Sequence, residues 1–304
     1  MAQVPATPKI ARARHLFTAR LFGPDAVAGE MLQASEKAAL NLRKARGKAG
    51  DPGPATEVVF LIPLVGRHHI SDWDGVTARL NLTLHSFLNQ TNPNWRAVIC
   101  GQDAPDLPDD QRISFLPFTT DMTGNDKWAK LRTLVEHLPE LGIRSGYAMS
   151  FDADDLLHRA AVAEVLSRQD AGGYLVARGF VRDVSTGVTA LAGPPSVGNP
   201  LRKPFWKLCG SCAAFRFDLD ALPECVPFLA ETLQHEHRMF PYLAALAGAP
   251  LTPFSVPSAM YLLNHGENFG ARRGRVSFKT RFVERFRIDD EAVLQEIAKD
   301  FPSA

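Results

Sequence analysis

Hydrophobic positions between residues 57 and 151 follow two periods, which predict strands separated by helices. The stretches 58–62, 95–100, 113–118 and 146–151 are predominantly apolar and short, as is typical of strands buried on both faces. Between them, apolar residues recur at helical spacing. They are Leu80, Leu84, Phe87 and Leu88 in one helix, and Trp128, Leu131, Leu134, Val135 and Leu138 in the next. Strands that alternate with helices predict an α/β fold with a mostly parallel sheet flanked by helices.

Shifts in composition divide the chain into four segments. Residues 1–48, rich in Ala, Arg and Lys, predict a helical N-terminal extension, and the Gly- and Pro-rich residues 49–56 predict a linker. Residues 57–277 would form the catalytic domain, and residues 278–304 would form C-terminal helices packed on it.

Composition and charge exclude several classes of protein. The 304 residues are 45% hydrophobic, which is ample for a core, and 34 Lys and Arg balance 33 Asp and Glu. This balance argues against nucleic-acid binding. No apolar run approaches the roughly 20 residues needed to cross a bilayer, and the first residues lack a signal-peptide core, so we expect a cytoplasmic protein.

Four cysteines in a chain of this size do not suggest a disulfide framework. Cys209 and Cys212 form a C-x-x-C pair, for which we expect half-buried positions in a strand. The alternatives are a zinc site completed by His235 and His237, or a redox pair.

Three carboxylates follow the apolar stretch 146–151. Asp152, Asp154 and Asp155 would lie where a strand ends, and in parallel sheets ligands collect beyond the carboxyl ends of the strands. Mg²⁺ and Mn²⁺ prefer oxygen ligands and share them with substrate phosphates, so this cluster indicates a nucleotide-linked substrate. Alternatively, these three aspartates lie in a solvated turn or cap the N-terminus of a helix and have no ligand.

Three motifs in order resemble a known family. Ile62-Pro63 ends the first strand, the segment Ser-Phe-Leu-Asn-Gln-Thr-Asn-Pro-Asn-Trp occupies residues 86–95, and Phe-Asp-Ala-Asp-Asp occupies residues 151–155. Over roughly residues 57 to 160 the chain resembles inverting family 2 glycosyltransferases of GT-A fold.

This resemblance implies a donor site for a UDP-, GDP- or dTDP-linked sugar. The loop of Pro63, Leu64 and Val65 would pack against the nucleotide base, and Asp103 would bond it. Here Gly101-Gln102-Asp103 replaces the family's two Asp followed by Gly and Ser, which leaves the base undefined. Lys130, better positioned than Lys127, would lie near the nucleotide.

The resemblance also implies a metal site and a catalytic base. Asp152 would contact the ribose and, with Asp154, hold Mn²⁺ or Mg²⁺. Asp155 would be an additional carboxylate that either supports the metal ligands or acts on the acceptor side. Glu236 would remove the proton of the acceptor hydroxyl, with Glu231 as the alternative acid, although His237 replaces the family's second acid. A plain carboxylate at a helix N-terminus is the alternative for Glu236.

A Gly-bearing loop near the C-terminus supplies further candidates. His265 would complete the metal shell, and Arg272 and Arg273 would stabilise the departing diphosphate. The alternative is a basic, solvated loop. Beyond it, Phe278, Phe282 and Phe286 form an aromatic stripe beside Lys and Arg, which either lies on an anionic membrane surface or, as we favour, packs on the domain.

The sequence therefore predicts a metal-dependent glycosyltransferase that moves a hexosyl or deoxyhexosyl group to a hydroxyl of a glycan or lipid-linked acceptor. Two other functions remain open. One is a phosphohydrolase of the haloacid dehalogenase type, in which the first Asp of the motif is the nucleophile. The other is a sugar-nucleotide or glycan binding protein without catalytic activity.

Overall fold

The structure, a computed structural model, describes residues 3–27, 31–50, 52–122, 124–264 and 276–302. The helices are α1 Lys9–Leu21, α2 Ala34–Arg46, α3 Trp73–Leu88, α4 Lys127–Glu136, α5 Ala161–Arg168, α6 Cys225–Thr232, α7 Phe240–Leu246, α8 Val276–Arg285 and α9 Glu291–Asp300. The strands are β1 Glu57–Pro63, β2 Trp95–Gly101, β3 Ile113–Pro117, β4 Ser145–Ser150, β5 Asp155–Leu157, β6 Gly173–Leu175, β7 Gly179–Asp183, β8 Thr189–Ala192, β9 Ala213–Asp218, β10 Thr252–Pro253 and β11 Ala259–Leu263.

The main sheet has the strand order β10-β6-β9-β4-β1-β2-β3. β1 pairs in parallel with β2 and β4, and β2 pairs in parallel with β3, whereas β9 runs antiparallel between β4 and β6. The central strand β1 is buried at every position except its two ends, which explains its unbroken apolar sequence. The predicted α/β class with a mostly parallel sheet flanked by helices is confirmed.

A second sheet has the strand order β5-β11-β7-β8, and its strand β5 follows β4 in the chain. β5 begins at Asp155 and pairs with β11, so that Asp155 lies opposite Tyr261. The carboxylate motif therefore lies at the junction of the two sheets.

The first two helices pack against the following domain through buried polar contacts. Glu36 of α2 accepts hydrogen bonds from Thr7 and from the hydroxyl of Tyr242 in α7, both at 2.8 Å. His15 of α1 contacts the same Tyr242 hydroxyl at 2.8 Å. Because a buried carboxylate needs hydrogen-bond partners, these contacts tie α1 and α2 to α7.

The C-terminal helices also contact the second sheet. Phe282 and Val283 of α8 are buried, and Phe286 packs against the same core. Two residues of the aromatic stripe, Phe282 and Phe286, therefore face the domain, whereas Phe278 is 43% exposed. Within the described ranges, no helix combines the length and the apolar character that crossing a membrane requires.

Candidate functional site

The site forms where several chain segments meet at one edge of the main sheet. The parallel neighbours β1 and β4 end at this edge, and the antiparallel strand β9 begins there. Met149 lies opposite Ala214, so the residues that follow β4 adjoin those that precede β9. Helix α4 begins at the same edge with Lys127.

The three predicted carboxylates form one cluster. Asp152, Asp154 and Asp155 each offer an oxygen, and these oxygens lie within 4.8 Å of one another. Asp152 and Asp154 are half-buried, whereas Asp155 is fully buried. Oδ1 of Asp155 is buried and has no hydrogen-bond partner in the described part of the chain. Oxygen ligands at this spacing, one of them unpartnered, fit a hard divalent cation.

The segment 209–212 holds this cluster from the side of β9. The Ser211 hydroxyl donates to Oδ2 of Asp155 at 2.5 Å and accepts from the backbone N–H of Asp152 at 2.8 Å. The Cys209 thiol donates to the same Asp155 oxygen at 3.0 Å. A Cβ built on Gly210 would lie 3.3 Å from Oδ2 of Asp152, so a glycine permits the close approach.

Both cysteines of the C-x-x-C pair are buried free thiols, and they precede β9 instead of lying in it. The expectation of half-buried strand positions was therefore wrong. Burial, together with the charges of Asp155 and Asp152, raises the pKa of both thiols well above the usual value. Thiols of raised pKa are poor nucleophiles, which leaves them a structural role here.

Burial and the neighbouring Asp154 and Asp152 raise the pKa of Asp155 well above its usual range. The pKa of Asp152 is lowered instead, so the pKa values of Asp152 and Asp155 are shifted in opposite directions. A proton on Asp155 competes directly with a cation for this group.

Lys127 supplies the positive charge nearest to Asp152. Its Nζ lies 2.5 Å from Oδ1 of Asp152, and both side chains remain partly exposed. Burial by itself would raise the pKa of Asp152, but the charge and hydrogen bond of Lys127 lower it. Nζ of Lys279 in α8 lies 2.6 Å from the Tyr261 hydroxyl. Burial lowers the pKa of Lys279, and the nearby Cys209 and the carboxylates of the cluster oppose this shift.

Lys130, expected near the nucleotide, contacts the loop that follows β1. Its ammonium is buried and contacts the carbonyl of Leu64 at 2.7 Å and Asp126 at 2.8 Å. The Leu64 side chain is buried in the core, whereas its neighbours Pro63 and Val65 are partly exposed. Lys130 therefore supports the loop after β1, and Lys127 is the lysine that contacts the carboxylate cluster.

Asp103 joins the loops that follow β1 and β2. Its Oδ2 accepts a hydrogen bond of 2.8 Å from the backbone N–H of Arg67. The adjoining Gln102 donates to Asp126 at 2.6 Å, which links the same loop to α4. Asp103 thus lies at the edge of the sheet on the side of β2, as its position in the sequence suggested.

Glu236 and His237 lie at the start of a short 3-10 turn that leads into α7. Asp152 and Lys127 are among the charges that act on His237, whereas Glu236 acts on His235. Nε2 of His237 is buried and has no hydrogen-bond partner among the residues described. Burial, together with Arg238, lowers the pKa of His237 to about 4. The imidazole of His237 is therefore neutral near pH 7. Glu231, the alternative acid, forms an ion pair of 2.8 Å with Arg132.

His265, Arg272 and Arg273 lie outside the described residues. The sequence did not predict that four residues would contribute to the carboxylate site. They are Lys127, Ser211, Cys209 and Lys279. Only Ser211 carried a local signal, because Gly-Ser before an apolar strand indicates close approach of another group. The others depend on which segments the sheet brings together.

No protein-family model matches the chain, and no curated protein matches it in sequence. Three solved structures show a distant likeness. S. aureus TarS matches with a TM-score of 0.36 and 12% identity over 68% of this chain, which spans 37% of the TarS chain. The mannosyltransferase PcManGT from Pyrobaculum calidifontis, in complex with GDP-Man and Mn²⁺, matches with a TM-score of 0.36 and 16% identity over 87% of this chain and 71% of its own. A 4-diphosphocytidyl-2C-methyl-D-erythritol synthase matches with a TM-score of 0.33 and 13% identity over 74% of this chain and 100% of its own.

Proposed function

We propose that the protein is a metal-dependent, inverting glycosyltransferase of GT-A type. It moves a sugar from a nucleotide-diphosphate donor to a hydroxyl of a glycan or lipid-linked acceptor. The observation that carries the proposal is the cluster of Asp152, Asp154 and Asp155 at the carboxyl edge of the parallel strands, with the ammonium of Lys127 beside it. Carboxylates and a cation at a strand edge suit a site that handles a diphosphate.

Asp152 and Asp154 would hold Mn²⁺ or Mg²⁺, which supplies positive charge to the diphosphate as the glycosidic bond breaks. Asp155 would hold the cluster together through Ser211. In the transfer, the acceptor oxygen forms a bond to the anomeric carbon, and the bond from that carbon to the diphosphate oxygen breaks with its electron pair. Lys127 would stabilise the negative charge that develops on this oxygen.

The acceptor hydroxyl must lose its proton to a base of this chain. Glu236 is the candidate that the sequence suggests. His237 is a second candidate, because its Nε2 is buried and has no hydrogen-bond partner within the described residues, although a pKa lowered to about 4 makes it a weak base. The variants Glu236→Gln and His237→Gln distinguish the two candidates. The variant that lacks the catalytic base should lose turnover but still bind the donor.

The donor base would lie over the loop after β1, against Pro63 and Val65, with Asp103 at its edge. Arg272 and Arg273 would bind the diphosphate and His265 would add a metal ligand; these three assignments rest on the sequence. A lipid-linked acceptor would place the protein at the inner face of the membrane.

Thermal stability in the presence of UDP-, GDP- and dTDP-sugars, with and without Mn²⁺, tests the proposal. We expect one donor series to raise the melting temperature only when Mn²⁺ is present, because ligands that bind the native state stabilise it. Asp154→Asn should abolish this response, whereas Asp289→Asn, at an exposed position, should keep it.

Release of nucleoside diphosphate on addition of an acceptor then separates a transferase from a binding protein. Stabilisation without release would indicate a binding protein. Release of inorganic phosphate from phosphate monoesters, without any response to nucleotides, would indicate a phosphohydrolase and refute the proposal.

A further inference from the structure

Helix α1 has an apolar face that no described part of the chain covers. Ile10, Phe17 and Leu21 are 87%, 62% and 59% exposed, and Phe22, next after the helix, is 70% exposed. At 100° per residue, positions 10, 17 and 21 fall within a sector of about 40°, so they share one side of the helix. The opposite side carries His15 and Ala19, which are buried toward α7.

Basic residues border this apolar face. On the same helical wheel Lys9 and Arg20 fall on one flank of the face, and Arg14 falls on the other flank. Residues 1–24 contain four Lys and Arg and no Asp or Glu. An apolar stripe between cationic flanks is the arrangement of helices that lie in the surface of a lipid bilayer.

We propose that α1 binds flat on an anionic lipid surface, with Ile10, Phe17 and Leu21 among the acyl chains and its basic residues at the headgroups. The helix has 13 residues, which corresponds to a length of about 20 Å, so it suits the plane of the interface better than the roughly 30 Å hydrocarbon core. Long cationic side chains reach the headgroups while their stems cover apolar surface.

The charge distribution favours lipid over a second copy of the chain. Twofold pairing through this face would bring the same cations of both copies together. An anionic surface instead attracts Lys9 and Arg20, at roughly a fivefold gain in binding for each of these two cations.

The structure directs this role to α1 and away from α8, for which the sequence left a membrane contact as the less favoured alternative. Phe282 is buried, the ring of Phe278 lies 4.0 Å from Nζ of Lys203, and Lys279 contacts Tyr261. These three side chains of α8 therefore contact other parts of the domain, although Phe278 is 43% exposed. The proposal does not depend on the chemistry of the carboxylate cluster.

Co-sedimentation of the full chain with phosphatidylcholine vesicles, with and without phosphatidylglycerol, tests the proposal. We expect binding only when phosphatidylglycerol is present, and release by salt. Phe17→Ser with Leu21→Ser should weaken binding at least tenfold, since each side chain contributes that much when it is fully buried in an apolar phase. The matched control is Val197→Ser with Leu201→Ser, which removes apolar side chains that are 103% and 57% exposed elsewhere.

A charge pair completes the test. Lys9→Gln with Arg20→Gln should weaken binding by about thirtyfold, whereas Arg144→Gln with Lys299→Gln, two exposed cations outside α1, should leave it unchanged. Binding that is equal on both vesicle types, or equal in all variants, would overturn the proposal. So would a dimer, seen by light scattering without vesicles, that Phe17→Ser with Leu21→Ser dissociates.

Discussion

Replacing Ser211 by alanine tests whether one hydroxyl organises the carboxylate cluster. The Ser211 hydroxyl is fully buried, donates to Asp155 and accepts from the backbone N–H of Asp152. Alanine leaves that N–H without its partner, at about 1–3 kcal/mol, and removes one of two donors to Asp155, at about 1 kcal/mol. We expect a loss of about 2–4 kcal/mol in the free energy of unfolding.

The same variant should weaken Mn²⁺ binding, since it removes a contact that orients two ligand-bearing residues. Loss of such outer contacts reduces metal affinity roughly 10- to 100-fold. Urea unfolding measures the stability, and titration calorimetry with Mn²⁺, at a temperature where the variant stays folded, measures the affinity.

Ser86→Ala is the matched control. Ser86 is equally buried, and its hydroxyl donates to the carbonyl of Thr83 and accepts from the N–H of Leu157. Alanine therefore removes the same kinds of contact, none of which involves an atom of the three aspartates. We expect a similar loss of stability with unchanged Mn²⁺ affinity. Equal Mn²⁺ affinities for Ser211→Ala and Ser86→Ala would refute the reasoning, and so would an undiminished stability of Ser211→Ala.

Three further predictions concern the charges around the cluster. Lys127→Gln should strengthen Mn²⁺ binding in calorimetry, because the Lys127 ammonium no longer competes with the metal for Asp152. The same variant should weaken donor binding, because the diphosphate loses a cation. Tighter donor binding would contradict this role of Lys127. Mn²⁺ affinity should rise as the pH is raised through the raised pKa of Asp155, since the proton there competes with the metal, and titrations at several pH values that give one affinity would refute it. The depressed pKa of His237, about 4 against 6.5 when unfolded, stabilises the fold above pH 6.5, and this contribution is lost as the pH falls toward 4. Between pH 7 and 4 the wild type should therefore lose about 3 kcal/mol more of unfolding free energy than His237→Gln, and parallel urea curves for the two proteins would contradict the burial of this imidazole.

The pairing of distant segments explains why part of the site could not be read from the sequence. Ser211 lies 56 residues after Asp155, and it reaches the cluster only because β9 inserts antiparallel beside β4. Lys127 and Lys130 lie one turn apart on α4, and the sequence did not show which of them would contact Asp152. The packing of α4 buries Lys130 under the loop after β1 and leaves Lys127 at the edge of the sheet.

The sequence by itself determined the central strands and the position of the carboxylates, because strands buried on both faces require continuous apolar runs. Accordingly, β1, β2, β3 and β4 each begin and end within one residue of the predicted stretches. It also determined that the N-terminal segment is helical and basic. The tertiary structure decided which side chains the carboxylates meet and which face of α1 stays uncovered. Those outcomes depend on contacts between segments far apart in the chain, and local patterns of hydrophobic and polar residues do not encode them.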